Sequence, residues 1–270
     1  MTSRSKSAPN KSAPNKAALR KEAALRKTTT QRKSTAAGPA VGTPSWPLPL
    51  ARGAALAGGG GGYTLDGWGG LHPFGGAPPI TTPAYWPGWD IARGIALNPD
   101  GTSGYTLDGF GGVHAFGSAA PVNTGIYWPG WDMARGLVMT PSSTKDKPAG
   151  YIVDGWGGVH AFGSAAPVIS SAYWPGTNLG RAIAVNPDGS GGYVLDAWGG
   201  LHSFGGARPV TASGFWVMRD MARGLALTGP GSGYTLDAWG GLHPFGGAAP
   251  LSSPGWWPGR DVARAVAINP

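Results

Sequence analysis

The sequence predicts an all-β fold, a β-propeller of about five four-stranded blades preceded by a disordered basic tail. A block of roughly forty-two residues recurs five times, and its marker tyrosines Tyr63, Tyr105, Tyr151, Tyr193 and Tyr234 stand 42, 46, 42 and 41 positions apart. Repeats of that length made of short strands have the size of propeller blades. In addition, 49 glycines and 26 prolines interrupt the chain, and no helix-period pattern of useful length follows residue 45. That excludes helical-pair and leucine-rich repeats. An irregular β-solenoid is the other architecture these strands permit.

Each strand follows from composition and turn chemistry. In the first full copy the apolar segment ARGIAL covers 92–97, the alternating GYTLD covers 62–66, GLHPF covers 70–74, and a weaker APPI covers 77–80. Between the second and third lies GWGG (67–70), where glycine permits the positive backbone angles of a tight hairpin. NPDG (98–101) turns the first type into the next GYTLD. Six ARGxAL-type segments occur, from 51–56 to 263–268, against five GYTLD and five GLHPF types. Five blades plus a spare strand is the expected count. Because every earlier copy continues into a GYxxD strand where this chain reads Asn269-Pro270, six or seven blades of a longer array are also compatible.

Charge divides the chain in two. Residues 1–35 hold ten Lys or Arg and one acid, Glu22, whereas residues 36–270 hold eleven Lys or Arg against twelve Asp. The expected boundary puts a low-complexity tail at 1–45 and the repeat domain at 46–270. SAPNK and AALRK each occur twice in the tail, a composition that cannot build a core. AALRKEAALRK has good helix formers but is too short to hold alone in water. Three readings stand: salt-sensitive contact of residues 4–33 with nucleic acid or another polyanion, an organelle transit peptide, or a solvated linker. No apolar run of secretory length precedes Pro39, and no membrane span is predicted. The absence of cysteine removes disulfide and thiol chemistry.

All five histidines, His72, His114, His160, His202 and His243, occupy the same place in GG[LV]HxFG. A ring of imidazoles suggests a metal or anion site. Against that, each accompanies a repeated acid, Asp66, Asp108, Asp154, Asp196 or Asp237, and an aromatic residue, which is the pattern of an intrablade hydrogen-bond network. WD-repeat propellers use His, Asp and Trp to a similar end. Ligands on separate blades also fit poorly to a metal that needs donors converging within a little over ~2 Å. No metal and no cofactor are expected.

A second repeated pair sets Asp three residues before Arg: Asp90 with Arg93, Asp132 with Arg135, Asp220 with Arg223 and Asp261 with Arg264, while Asn178 precedes Arg181. Each Arg begins an apolar strand, so its planar fork is expected near a blade interface, holding a carboxylate or turn carbonyls in register.

Binding would show in the aromatic loops after the fourth strand. Each copy has a pair there: Tyr85-Trp86, Tyr127-Trp128, Tyr173-Trp174, Phe215-Trp216 and Trp256-Trp257. Blade-to-blade packing is one role for these pairs. Two copies add Trp89 and Trp131, where the others have Thr177, Arg219 and Arg260. A position that runs from indole to hydroxyl to guanidinium is not an interface filler and is expected to be exposed. Exposed Trp beside Asp90 and Asp132 suits a sugar, whose C–H face stacks on an indole while its hydroxyls meet polar groups.

The run GYTLDGWGGLHPFG, followed by ARGIALNPDGTSGY, resembles actinobacterial secreted or surface propeller repeats of the type GYWLVxxDGGVFxFG. The likeness covers about residues 46–270 and rests on the Gly-Tyr, Gly-Gly and Phe-Gly landmarks. In blade number and size alone the chain is similar to tachylectin-type lectins. The first resemblance implies an adhesive or recognition module at the cell surface or outside it, although no signal peptide is visible. The sugar-contact residues of the lectins cannot be matched position by position.

An enzyme is disfavoured, because His, Asp and Arg recur evenly where an active site needs unlike groups in separate roles. AGGGGGY at 57–63 precedes a strand rather than a helix, so it is not a phosphate loop. The expected function is a non-enzymatic, lectin-like recognition module that binds glycan or a cell-surface polymer. Candidate contacts are Trp86, Trp89, Asp90, Trp128, Trp131, Asp132, Trp174, Trp216 and Trp257. The alternative is a protein-interaction scaffold.

Overall fold

The computed structural model describes residues 49–269; the basic segment 4–33 and its expected polyanion contact lie outside them. The described chain is all-β, with fifteen strands and no helix. They form five antiparallel three-stranded sheets, each a simple meander in chain order. The first contains β1 (Ala51–Leu56), β2 (Gly62–Asp66) and β3 (Leu71–Phe74). The second contains β4 (Ala92–Leu97), β5 (Gly104–Asp108) and β6 (Val113–Phe116), and the third β7 (Ala134–Met139), β8 (Ala149–Asp154) and β9 (Val159–Gly163). The fourth contains β10 (Gly180–Val185), β11 (Gly191–Asp196) and β12 (Leu201–Gly205), and the fifth β13 (Ala222–Gly229), β14 (Ser232–Asp237) and β15 (Leu242–Phe245).

The hairpin between second and third strands forms where GWGG stands. Gly69 has φ +92° and Gly111 +90°, a left-handed conformation that a side chain strains. The expected fourth strand is corrected: APPI at 77–80 is not a strand, and each sheet has three strands, not four. Pro78 and Pro79 have no N–H to give a ladder. All that remains of a fourth rung in two copies is an isolated bridge, Ser170 to Phe204 and Ala212 to Phe245. The marker tyrosine holds this segment instead. Its hydroxyl donates to the carbonyl fifteen residues on: Tyr63 to Pro78 at 2.8 Å, Tyr105 to Ala120 at 2.7 Å and Tyr193 to Arg208 at 2.7 Å.

The spare segment 263–268 is corrected as well, since it pairs as a strand with nothing among the described residues. Elsewhere an ARGxAL strand takes its ladder from a GYxxD strand, as β4 does from β5. The segment nonetheless lies against β13. Gly224 of β13 lies so close to it that an added Cβ would come within 3.1 Å of Val266, just as one on Gly94 of β4 would come within 3.4 Å of Leu137 in β7. Glycine after Arg therefore eases the approach of successive first strands, while in β10 the small Ala182 takes that place.

The core lies between successive sheets. Tyr63, Leu65, Ile95 and Phe116 join the first to the second, and Tyr105, Leu107, Leu137 and Phe162 join the second to the third. The next two seams repeat this with Tyr151 and Phe204, then Tyr193 and Phe245. Tyr105, Tyr151 and Tyr193 meet the following repeat's phenylalanine edge-on, as in Tyr151–Phe204 with centroids 5.5 Å apart, the arrangement aromatic quadrupoles favour. One residue type thus stacks between sheets with its ring and ties its own loop with its hydroxyl.

Candidate functional site

Two side-chain arrays and one aromatic rim make up the candidate site. In the first array, the buried aspartate ending each second strand organises its hairpin. Asp108 Oδ1 accepts from the backbone N–H of Phe110 at 2.8 Å and of Gly112 at 2.9 Å, and His114 Nε2 lies 2.8 Å from its Oδ2. A Cβ on Gly112 would collide with that carboxylate, so glycine there admits the acid. Asp66 with His72, Asp154 with His160, Asp196 with His202 and Asp237 with His243 repeat the contact at 2.7–2.8 Å. Burial acts to raise the Asp196 carboxyl, but hydrogen bonds from His202, Gly200 and Trp198 outweigh it and hold the group below its usual range. Each imidazole is spoken for by its own aspartate, and no three His or acidic side chains converge as a metal cradle among the described residues.

The aromatic pair of one repeat reaches the histidine of the next. Trp86 stands edge-on to His114, Trp128 to His160, Trp174 to His202 and Trp216 to His243, with centroids 4.8–5.3 Å apart. These four tryptophans are half-buried, whereas Trp257 is exposed. The first residue of each pair, Tyr85, Tyr127, Tyr173, Phe215 or Trp256, is exposed.

The second array is a ladder of ion pairs. The pairing of first and second strands slips at each arginine, between Ala51 and Gly53, Ala92 and Gly94, Ala134 and Gly136, Gly180 and Ala182, and Ala222 and Gly224. A bulged residue is re-aimed out of the pleat, and here the guanidinium is turned to the next repeat. Arg93 Nε and Nη2 grip Asp132 at 3.0 and 2.7 Å, Arg181 grips Asp220 at 2.9 and 2.8 Å, and Arg223 grips Asp261 at 3.0 and 2.9 Å. Arg52 grips Asp90 in the same way. Five of the arginines also contact their own repeat's residue three back: Arg93 with Asp90, Arg135 with Asp132, Arg181 with Asn178, Arg223 with Asp220 and Arg264 with Asp261. The six arginines, with the residues after them, line one small pocket of about 110 Å³.

Asn178 breaks the ladder. Arg135 Nε donates to its Oδ1 at 3.1 Å, but the amide has no second acceptor for Nη2. Burial, with the charges of Arg181 and Arg93, pushes Arg135 below the usual guanidinium range even though Asp132 opposes the shift. At the half-buried Arg223 burial acts to lower the group, but Asp261 and Asp220 outweigh it and raise it above the usual value.

The rim is formed by Trp89 and Trp131, each immediately before a ladder aspartate. Both are 51% exposed. Each also leans edge-on against the next repeat, Trp89 on Phe110 at 5.7 Å and Trp131 on Trp156 at 5.3 Å. Trp198 occupies the position of those two partners in the fourth repeat, and Thr177 stands where the covering indole would be. There Trp198, Trp174, Phe215, His202 and Thr211 line an open pocket of about 420 Å³.

The tyrosine hydroxyls and the arginine bulges were missed by sequence reasoning. The constant Tyr-to-APxx spacing was the available signal for the first; a bulge leaves none in an alternation of one residue type. No family model matches the chain, and no curated protein matches it in sequence.

Proposed function

We propose that residues 46–270 are a β-propeller recognition module, without enzymatic activity, that binds glycan through its aromatic loops. The propeller reading is supported by six ARG-type segments lining one pocket while five sheets stack side by side, the relation expected of blades about an axis.

The observation that carries the glycan reading is the pocket at Trp198. Its volume of about 420 Å³ lies in the range of small-molecule sites, and its lining of indoles and a phenyl ring with His202 and Thr211 offers flat apolar faces beside a few polar groups. Related loops recur in each repeat, so several weak sites of one kind would gain avidity on a polymer. The test is binding of the full chain to an array of cell-wall and host glycans at physiological salt, with Trp198→Ala alongside. Loss of the parent's signals in the variant supports the reading; equal signals from both assign them elsewhere, to charge or another surface.

A protein-interaction scaffold is the second reading, and Val217 with Met218 favours it. In the fourth repeat these exposed residues replace the Pro-Gly of other loops, Met218 being held at φ +58° with 81% of its surface open. A partner captured through them would be lost with a Val217→Pro, Met218→Gly double variant that leaves glycan signals intact.

A further inference from the structure

The ladder contains one place where two hydrogen-bond donors face each other. In the intact rungs, the aspartate Oδ1 meets Arg Nε and Oδ2 meets Nη2. At the third rung Asn178 Oδ1 keeps the first contact, with Arg135 Nε at 3.1 Å and Arg181 Nη1 at 3.3 Å. The amide nitrogen then takes the place of Oδ2, against a guanidinium nitrogen whose remaining partner is the Asp132 carbonyl at 2.9 Å. Turning the amide over exchanges the two contacts without adding an acceptor, since Asn has one oxygen where Asp has two. Two outward donors therefore require an acceptor from outside.

Charge points the same way. Six arginines line the pocket, and four ladder carboxylates, Asp90, Asp132, Asp220 and Asp261, face them, an excess of two positive charges.

The surroundings are aromatic on one side and open on the other. Gly155 lies against the Asn178 amide, where an added Cβ would sit 2.8 Å from Oδ1. The next residue, Trp156, carries the exposed indole of Trp131 edge-on. Beside Asn178 the rim residue is Thr177 instead of Trp, so the copy that lacks the carboxylate also lacks the bulky ring that precedes Asp90 and Asp132.

We propose that Arg135 and Asn178 form a carboxylate-binding subsite that takes the acid group of a uronic-acid residue in an acidic polysaccharide, with the Trp131–Trp156 pair beside its sugar ring. One carboxylate oxygen accepts from Arg135 Nη2 and Asn178 Nδ2, doing for the third rung what Oδ2 of aspartate does for the others. The proposal rests on the glycan reading and names the class of sugar.

The test is calorimetric titration of the full chain with sodium glucuronate, glucose and acetate, in the parent and in Asn178→Asp. Aspartate occupies this position in the other copies, so the variant completes the ladder and keeps the fold; its melting temperature should equal or exceed the parent's. The basic N-terminal segment is common to both proteins and cancels in the comparison. Glucuronate should bind the parent better than either glucose or acetate, and the variant should lose roughly tenfold or more in affinity through like-charge repulsion. Glucuronate binding unchanged in Asn178→Asp overturns the subsite, and if glucose binds equally well the glycan reading survives without it. Acetate binding as tightly as glucuronate, with both lost in the variant, supports the carboxylate contact and overturns its sugar context.

Discussion

Trp86 of one repeat stands edge-on to His114 of the next, ring centroids 5.1 Å apart, while Nε2 of that imidazole lies 2.8 Å from Asp108 Oδ2. The histidine therefore joins the hairpin of its own repeat to the loop of its neighbour. A residue with that position is structural in both directions, and His114, His160, His202 and His243 all hold it.

The two members of the pair should not be equally costly to remove. Asp108→Ala strands the backbone N–H groups of Phe110 and Gly112 in the hairpin, so a loss of about 2–4 kcal/mol is expected. His114 is about one-third exposed, and water can replace it on the carboxylate; His114→Ala should cost about 1–2 kcal/mol, including the lost edge contact with Trp86. Urea denaturation of both variants measures this. A histidine variant as damaged as the aspartate variant would mean that the seam contact, not the hairpin, dominates.

Thr106 gives the opposite sign. It is fully buried in β5, and its hydroxyl finds no partner among the described residues. The matching positions in β8 and β11 are Ile152 and Val194. Thr106→Val keeps the shape and removes the unmet hydroxyl, so it should stabilise by about 1 kcal/mol and raise the melting temperature.

Acid should act through Asp196. Its carboxyl is held below the ordinary value of 3.8, the hydrogen bonds of His202, Gly200 and Trp198 prevailing over the opposing effect of burial. A folded-state pKa below the unfolded one contributes stability that is fully present above the unfolded value and lost as pH falls through the folded one. The gap in melting temperature between the parent and Asp196→Asn should therefore be widest above about pH 5 and narrow steadily below pH 4. A gap that does not change with pH would show that the side chain matters for shape alone.

Much of the repeat was legible because its chemistry is local. Gly69 and its counterparts, the NPDG turns and the alternation of GYTLD specify hairpins within a few residues, and the His and Asp that meet are only six apart. The fourth strand was not legible, since APPI has the apolarity of a strand while its prolines withhold the ladder donors; only the neighbouring tyrosine hydroxyl explains how that segment is held. The Arg–Asp ladder was half legible. The spacing of three between Asp90 and Arg93 is visible in the chain, but the stronger grip of Arg93 is on Asp132, thirty-nine residues away, and the bulge that aims it there has no mark in the composition. The rim position was expected to be exposed from its variation between copies, and Trp89 and Trp131 are half open and half packed on the next repeat.

That intermediate placement shapes the last expectation. Replacing Trp89 and Trp131 together by Ala removes two edge-on contacts, to Phe110 and to Trp156, each worth about 0.5–1.5 kcal/mol. The double variant should therefore melt modestly lower and remain folded, because neither indole lies in the seams built by Tyr105, Leu107 and Phe162. If the rim is a sugar platform, the variant should lose glycan binding while folded, and its near-ultraviolet circular dichroism should keep the signature of the buried tyrosines. Collapse of the fold would instead assign both rings to packing between repeats. A stable variant that binds every glycan as the parent does would place recognition in the Trp198 pocket alone, which Trp198→Ala tests separately.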